Sequence, residues 1–271
     1  MAREKKDDYG CRGTSCRPGR YSEIVMEDDA AANFTPRAPT FILGFANVGL
    51  IGSISASTLI EQLKMEQVGH VLSDKFPPVA VFYDGILKQP FRIYYSKKHN
   101  LIVSFCEIPL SARYFTDVAH TLMCWALNVG VKEVVLLQGL ATEEPVDGEN
   151  PVFVAAKKVV QETLAQYGVQ ILPKGILLGL EAAILNVCLN SSLEGHVLMT
   201  PVNPQIPSPE GSAAILEILN KIYQLDVKTD ELKEEGAKIK KKLMEMATQV
   251  QNQQRQDSGF VDSKPSSQLF I

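Results

Sequence analysis

The sequence predicts an α/β fold in which helices flank a mixed, mostly parallel sheet. Short apolar runs over 40–45, 101–108 and 131–140 have the length and composition of buried strands. Segments with helical spacing of apolar residues alternate with these runs, which is typical of a largely parallel sheet between helical layers. A pair, Asp84 and Gly85, between two aromatic and β-branched segments predicts a hairpin, so part of the sheet is expected to be antiparallel.

The elements are predicted in chain order from these patterns. We expect strands over 40–45, 68–73, 77–85, 91–96, 101–108, 131–140, 169–172, 175–180 and 195–200, and helices over 47–64, 112–129, 151–167, 181–192 and 209–224. The helix over 151–167 has Pro at its start and Gly168 after its end, which are the residues that helices favour at these two positions.

Four regions follow from the composition. Residues 1–38 are polar and irregular and are predicted to form a disordered N-terminal extension, followed by an α/β core over 39–225. A charged helix is expected over 226–252. Residues 253–271 are predicted to form a flexible tail, because a stretch rich in Gln, Ser and Asp buries too little apolar surface to become ordered.

The charged helix carries a narrow apolar seam. Its members, spaced alternately by four and three residues, are Leu232, Gly236, Ile239, Leu243, Met246 and Val250. This a/d spacing is typical of a coiled-coil contact with one neighbouring helix. Leu232, Ile239, Leu243, Met246 and Val250 are therefore predicted to contribute to oligomerisation. The alternative is that the seam packs on its own domain.

Composition excludes several classes of function. The net charge of -4 gives no electrostatic footprint for nucleic acid, and no apolar run reaches the roughly 18 residues of a membrane span. The first residues lack the apolar region of a secretory signal.

Cys106, Cys124 and Cys188 lie in apolar segments, which predicts buried thiols and a reduced, cytoplasmic compartment. Cys11 and Cys16 lack the further ligands of a structural zinc site.

The turn over 44–52 invites comparison with nucleotide-binding loops. GFANVG differs from the dinucleotide fingerprint at Ala46, where a glycine normally lets the backbone approach a pyrophosphate. Leu50 and Ile51 stand where a P-loop has Lys and Ser or Thr. We therefore favour tight packing of a helix on a strand, and predict no catalytic, cofactor-binding or metal-binding residues. An acidic loop over 143–149 is the remaining candidate for a site beside this turn.

Several segments resemble one known family. They are GFANVGLIGSISASTLIEQLKMEQVGHV, FPPVAVFYDGILKQPFRIYY, LIVSFCEIP, WALNVGVKEVVLLQGL, ILLGLEAAILN and PSPEGSAAILEILNKIYQLDV. Together they resemble the proteasome assembly chaperone 2 family in its archaeal-type form, over about residues 40–246. The resemblance implies a fold similar to that of nucleoside phosphorylases without their catalysis. It also implies self-association and binding of proteasome subunits or rings.

The resemblance implies a docking role for the last three residues of the chain. Some relatives end in a hydrophobic–tyrosine–any motif that inserts between proteasome α-subunits. Here Leu269 occupies the hydrophobic position, Phe270 the tyrosine position and Ile271 the last position, so the tyrosine hydroxyl is missing. A free carboxylate beside apolar side chains on a solvated tether is suited to capture by a partner.

The sequence therefore predicts a non-enzymatic, homo-oligomeric, chaperone-like protein. Its expected partners are proteasome α-subunits or the 20S core particle, bound through Leu269, Phe270 and Ile271. One alternative is a nucleoside-phosphorylase-like enzyme or small-molecule binder that uses the 44–52 turn and the 143–149 loop. Another is an oligomeric scaffold with an inert tail.

Overall fold

A computed structural model of the protein describes residues 18–28, 33–142, 150–239 and 241. The strands are β1 (Ser22–Met26), β2 (Thr40–Phe45), β3 (Glu66–Ser73), β4 (Val81–Tyr83), β5 (Ile86–Lys88), β6 (Phe91–Ser96), β7 (Leu101–Cys106), β8 (Glu133–Ala141), β9 (Phe153–Ala155), β10 (Gln170–Ile171) and β11 (Glu194–Val202). The helices are α1 (Ile51–Gln62), α2 (Phe115–Val129), α3 (Lys158–Ala165), α4 (Leu180–Leu189), α5 (Pro209–Tyr223) and α6 over 230–239.

The main sheet is mixed, as predicted. Its strands follow the order β1-β3-β6-β7-β2-β8-β11-β9-β10. The central strands β7, β2, β8 and β11 run parallel to one another, and the antiparallel pairs lie toward the two edges of the sheet. Strands β4 and β5 form a separate two-stranded ribbon.

Helices cover both faces of the sheet. Alternate residues of β2 point to opposite faces, so Phe41 and Leu43 join the core under α2 and α4. Ile42 joins the second core, which α1, α3 and α5 cover. A strand buried on both faces is continuously apolar, which is why TFILGF shows no polar alternation.

The N-terminal region differs from the prediction. Ser22–Met26 form the edge strand β1, which pairs antiparallel with β3, so the expectation of an irregular extension over 1–38 does not hold there. The segment is fixed by α2 as well, because the Asp117 carboxylate accepts hydrogen bonds from the Tyr21 backbone and the Ser22 hydroxyl. The five residues SEIVM are followed directly by the acidic Glu27 and Asp28. Their alternation of apolar and polar side chains is too short to predict a strand.

The region after β8 also differs from the prediction. The expected helix over 151–167 begins only at Lys158, and Phe153–Ala155 form β9 between β11 and β10. Buried Val154 pairs with Leu198 of β11, so sheet pairing overrides the local helical pattern. The expected strand over 175–180 is wrong, because this segment pairs with no other strand of the described sheet and leads directly into α4.

The predicted hairpin is present in a shorter form. Asp84 and Gly85 have φ values of 50° and 76°, as a type I′ turn requires. The turn joins β4 to β5 and not to the segment 91–96, which is β6 of the main sheet. The ribbon β4–β5 therefore lies outside the layered core.

Candidate functional site

The glycine turn between β2 and α1 is filled by protein backbone. A Cβ atom added at Gly44 would lie 2.3 Å from the Gly52 carbonyl oxygen, and one added at Gly139 would lie 2.1 Å from the Val48 carbonyl oxygen. A Cβ atom at Gly52 would lie 2.6 Å from the Phe45 carbonyl oxygen. These glycines allow α1 to pack closely on β2 and β8, which is the interpretation that the sequence favoured over a phosphate loop.

Polar side chains close the same end of the sheet. The Asn47 amide donates hydrogen bonds to the Leu137 carbonyl (2.6 Å), Gln138 Oε1 (2.7 Å) and Glu181 Oε1 (3.1 Å). Glu181 is only 5% exposed, and burial raises the pKa of its carboxyl while the Asn47 hydrogen bond partly offsets the shift. This cluster contains no cation, so it offers nothing to balance the charge of a phosphate.

The remaining residues that could suggest an enzyme are not brought together into one site by the described part of the structure. The acidic loop over 143–149 lies outside the described residues. His196 is fully buried in β11, and burial lowers its pKa. Within the ranges that the structure describes, no three His, Cys, Asp or Glu side chains are grouped as a metal site requires, and no helix has the length and apolar character needed to cross a membrane.

The first turns of α6 pack on their own domain. Leu232 contacts the core that α1 and α5 cover. A Cβ atom at Gly236 would lie 2.2 Å from Glu210 Oε2 on α5, so the two helices approach closely. Lys233 Nζ lies 2.5 Å from Glu217 Oε1 of α5. For Leu232 and Gly236 the structure therefore supports packing within the subunit, the alternative to a role in oligomerisation.

Of the other residues predicted to make contacts, only one lies within the described part of the chain. Ile239 is half-buried near the end of the described helix. Leu243, Met246 and Val250 of the seam lie outside the described residues. The tail residues, Leu269, Phe270 and Ile271, lie outside them as well. Their roles in oligomerisation and partner binding remain predictions from the sequence.

The β4–β5 ribbon exposes a group of large apolar side chains. Phe82 and Leu87 lie opposite each other in the antiparallel pair and are 68% and 73% exposed. Ile86 is 60% exposed and Tyr83 is 48% exposed. Scattered exposed apolar residues are normal in proteins, whereas a contiguous group indicates an interaction surface.

A buried ion pair fixes the ribbon to the sheet. Arg92 of β6 is 2% exposed and forms an ion pair with Glu107, whose carboxylate also accepts the hydrogen bond of the Tyr83 hydroxyl. The Arg92 guanidinium lies 5.4 Å from the centre of the Tyr83 ring. Burial and the hydrogen bond to Glu107 raise the pKa of Tyr83, so this side chain stays neutral.

The same ion pair is stabilised by its surroundings. Burial alone would lower the pKa of Arg92, but the neighbouring Tyr94 and Glu107 outweigh this effect and the pKa is raised. Arg92 also donates hydrogen bonds to the Tyr94 hydroxyl and the Gln89 carbonyl. A satisfied network of this kind holds the attached ribbon in one orientation.

Comparisons with known proteins place the chain in a family. The sequence profile of the PAC2 family matches residues 41–247. The chain belongs to the PAC2 family. This result confirms the resemblance to the archaeal-type proteasome assembly chaperone 2 proteins that the sequence showed.

Proteins of known sequence or structure resemble the chain over most of its length. An uncharacterised protein of Methanocaldococcus jannaschii is 29% identical over 211 residues, which cover 78% of this chain and 86% of the relative. A Thermoplasma acidophilum protein of unknown function is 32% identical, with a TM-score of 0.69 over 84% of this chain and 96% of that one. Pyrococcus furiosus PbaA, an archaeal homologue of proteasome-assembly chaperone, is 25% identical, with a TM-score of 0.75 over 88% of this chain and 97% of that one.

The exposed apolar ribbon is the surface that sequence reasoning missed. The segment PPVAVFYDGILKQP did predict the turn, but the hairpin was expected to be part of the main sheet. A usable signal was present, because Val81, Tyr83 and Ile86 are apolar on one face of the ribbon and Phe82 and Leu87 on the other. A strand pair this short cannot be buried on both faces at the edge of a layered domain.

Proposed function

We propose that the protein is a proteasome assembly chaperone-like factor that forms homo-oligomers and binds proteasome α-subunits or the 20S core particle through its C-terminal tail. The observation that carries this proposal is membership of the PAC2 family, together with the similarity over nearly the whole fold to PbaA. We place the activity in the cytoplasm.

The tail supplies the chemistry of docking. Leu269 and Phe270 enter apolar clefts between α-subunits, and the Ile271 carboxylate binds a lysine of the partner. Burial of a phenylalanine side chain contributes roughly 1.5–3 kcal/mol before ordering costs are subtracted. Because the linker before it is rich in Gln and Ser, one tail alone binds weakly.

Self-association increases the overall affinity of tails that bind weakly one at a time. Several tails on one oligomer raise the effective concentration for the second and later contacts. We propose that Ile239, Leu243, Met246 and Val250 contribute to this association as the outer part of the seam. The packing of Leu232 on its own subunit restricts the proposal to these later residues.

The described structure favours binding over catalysis. The turn over 44–52 is occupied by backbone, and the polar cluster beside it lacks a cation for an anionic substrate. No observation in the described residues specifically favours a nucleoside-phosphorylase-like reaction at this position. We therefore propose that the protein acts through its contact surfaces and not as an enzyme.

Co-sedimentation with purified 20S core particles tests the proposal. Deleting residues 269–271, replacing Phe270→Ala or adding one glycine after Ile271 is expected to abolish most binding, because each removes the side chains or displaces the carboxylate. Phe270→Tyr is expected to maintain or strengthen binding. The matched control is Phe260→Ala, an aromatic residue of the same tail outside the docking motif. Undiminished binding after deletion of residues 269–271 would favour a scaffold with an inert tail.

A further inference from the structure

We infer that a cationic cleft beside the N-terminus of α2 is a docking site for an extended acidic peptide segment of another protein. The cationic cleft has a volume of about 750 Å³ and lies between the start of β1, the residues that follow β3 and the first turns of α2. The side chains of Arg20, Lys75, Arg113 and Asp117 give it three cations and one anion. The inference goes beyond the proposed function, which assigns docking to the C-terminal tail and gives this face of the core no role.

The cationic cleft concentrates positive charge on a chain whose net charge is -4. Arg20 and Arg113 are exposed, and neither forms an ion pair with a side chain that the structure describes. Lys75 Nζ lies 2.7 Å from Asp74 Oδ2, and Asp74 is itself largely exposed to solvent. Cations that face one concavity and lack buried partners attract an anionic partner and favour its correct orientation.

The Asp117 carboxylate does not neutralise these cations by direct contact. It accepts hydrogen bonds from the backbone amides of Arg20 and Tyr21 and from the Ser22 hydroxyl. Its oxygens therefore hold the segment before β1 in place, and among the described side chains it forms no ion pair with the cations of the cleft. The cationic groups remain available to a ligand.

Aromatic side chains hold two of the cations in position. The Arg20 guanidinium lies 5.7 Å and the Lys75 ammonium 5.5 Å from the centre of the Tyr21 ring, within the range of cation–π attraction. The Tyr21 ring in turn packs edge-to-face on Tyr114, with the ring centres 5.9 Å apart. Side chains that are already placed lose less conformational entropy when a ligand binds.

Two features of the cationic cleft favour carboxylates over a phosphate group as its ligand. The backbone amides of Gly19, Arg20 and Tyr21 already donate hydrogen bonds to Thr121 or Asp117, so they cannot form the cradle of free amides that phosphate sites use. The charge of Asp117 also repels a dianionic phosphate more strongly than a single carboxylate.

The exposure of the cleft's walls favours a peptide over a small carboxylate molecule. Sites for small molecules enclose most of the ligand surface, whereas Arg20, Arg113 and Thr116 are exposed and Tyr21 is 42% exposed. A peptide that lies across an open cleft brings several acidic side chains to separate cations. Because each exposed ion pair contributes little, several of them must act together.

Fluorescence anisotropy of the full chain with a fluorescein-labelled peptide of eight glutamates tests the inference. Replacing Arg20→Gln and Arg113→Gln together removes two exposed cations and is expected to weaken binding at least tenfold while the melting temperature stays unchanged. The control, Arg37→Gln with Lys98→Gln, removes the same charge from exposed positions outside the cleft and is expected to change the affinity less than twofold. Equal weakening by both pairs, or no saturable binding to wild type, overturns the inference.

A variant that keeps every charge distinguishes a positioned site from diffuse attraction. A Cβ atom at Gly19 would lie 2.3 Å from Thr121 Oγ1 and 2.5 Å from the Asp117 carbonyl oxygen, so Gly19→Ala displaces the segment that carries Arg20. The variant is expected to bind the glutamate peptide at least threefold more weakly than wild type. If its affinity is unchanged, the peptide is held by the general field of the surface and the inference is wrong.

Competition identifies the class of ligand. Citrate and inorganic phosphate, compared at equal ionic strength, are expected to displace none of the labelled peptide at the concentration at which the unlabelled peptide displaces half of it. If either ion competes as effectively as the peptide, the cleft is a site for small anions and the inference is wrong. Deletion of residues 269–271 is expected to leave peptide binding unchanged, so the cleft and the tail are tested separately.

Discussion

The turn between β2 and α1 and the turn between β4 and β5 each contain two consecutive residues at positive φ, in opposite surroundings. Gly49 and Leu50 have φ values of 65° and 54°, close to the 50° and 76° of Asp84 and Gly85. A Cβ atom at Gly49 would lie 2.7 Å from Val202, whereas nothing lies within 4 Å of one at Gly85.

The two turns have different roles despite their similar φ values. A glycine-rich turn suggests a ligand-binding loop, yet here it serves the packing of α1 against the sheet. The ribbon has an ordinary hairpin turn and carries large apolar side chains into solvent. In this chain the surroundings of a turn, and not its glycine pattern, indicate a surface that is available to a partner.

Loss of the ribbon's anchor is expected to have the largest effect. Arg92→Ala leaves the partly buried Glu107 carboxylate without its cation, and removing one member of a buried pair typically costs about 3–5 kcal/mol of the free energy of unfolding. Urea denaturation followed by tryptophan fluorescence measures this cost. Lys158→Ala, which removes a highly exposed ion pair of α3, is the control and is expected to cause no measurable change.

A methyl group in the glycine turn is expected to have the next largest effect. Gly139→Ala places a Cβ atom 2.1 Å from the Val48 carbonyl oxygen, so the backbone must move and the free energy of unfolding falls by about 1–3 kcal/mol. Gly175→Ala is the control, because its Cβ would meet only the flexible end of Leu172 at 3.3 Å. Equal melting temperatures for Gly139→Ala and wild type would show that the turn is open enough to receive a ligand.

The buried carboxyl beside the glycine turn is expected to have a smaller, pH-dependent effect. Burial raises the pKa of Glu181 in the folded protein, so its carboxyl imposes no penalty below the pKa of the unfolded chain and destabilises the fold as the pH rises through the folded pKa. Glu181→Gln keeps an oxygen that can accept the Asn47 hydrogen bond and cannot ionise. The variant is expected to melt at a higher temperature than wild type at about pH 8, and the difference should disappear toward about pH 4.

A control variant distinguishes the effect of burying the Glu181 carboxyl from the general effect of removing one negative charge. Glu162→Gln on α3 removes a largely exposed carboxylate and is expected to leave the melting temperature at about pH 8 unchanged. If Glu181→Gln lowers the melting temperature at every pH, the carboxylate is stabilised in its charged form. The cluster would then be able to accommodate a charged group beside the glycine turn.

The central elements of the fold could be predicted because their signals are local and strong. Strands β2, β7 and β8 are rich in buried apolar residues, and α5 combines helical spacing with Pro209 in its first turn. Strands β1 and β9 escaped prediction because each depends on a distant partner. Five and three residues long, they are stabilised by pairing with β3 and β11 and not by their own composition.

The candidate surfaces were predictable to different degrees. The proposed docking residues, Leu269 and Phe270, follow from their contrast with a polar tail and from the family resemblance. The packing of Gly236 against Glu210 could not be predicted, because heptad spacing does not distinguish a neighbour in the same subunit from one in another. Hydropathy alone assigns Phe82 to the core, so its exposure could be predicted only from the apolar residues on both faces of so short a hairpin.

Isothermal titration calorimetry of one preparation, against the 20S core particle and against nucleotides and nucleosides, distinguishes tail docking from a small-molecule site. We predict that the protein binds the 20S core particle, that deletion of residues 269–271 removes this binding, and that ATP and nucleosides bind no tighter than the millimolar range, because the turn over 44–52 is closed by backbone. Micromolar binding of a nucleotide that Gly49→Val abolishes, with 20S binding absent, would contradict the account and favour a small-molecule site at the turn.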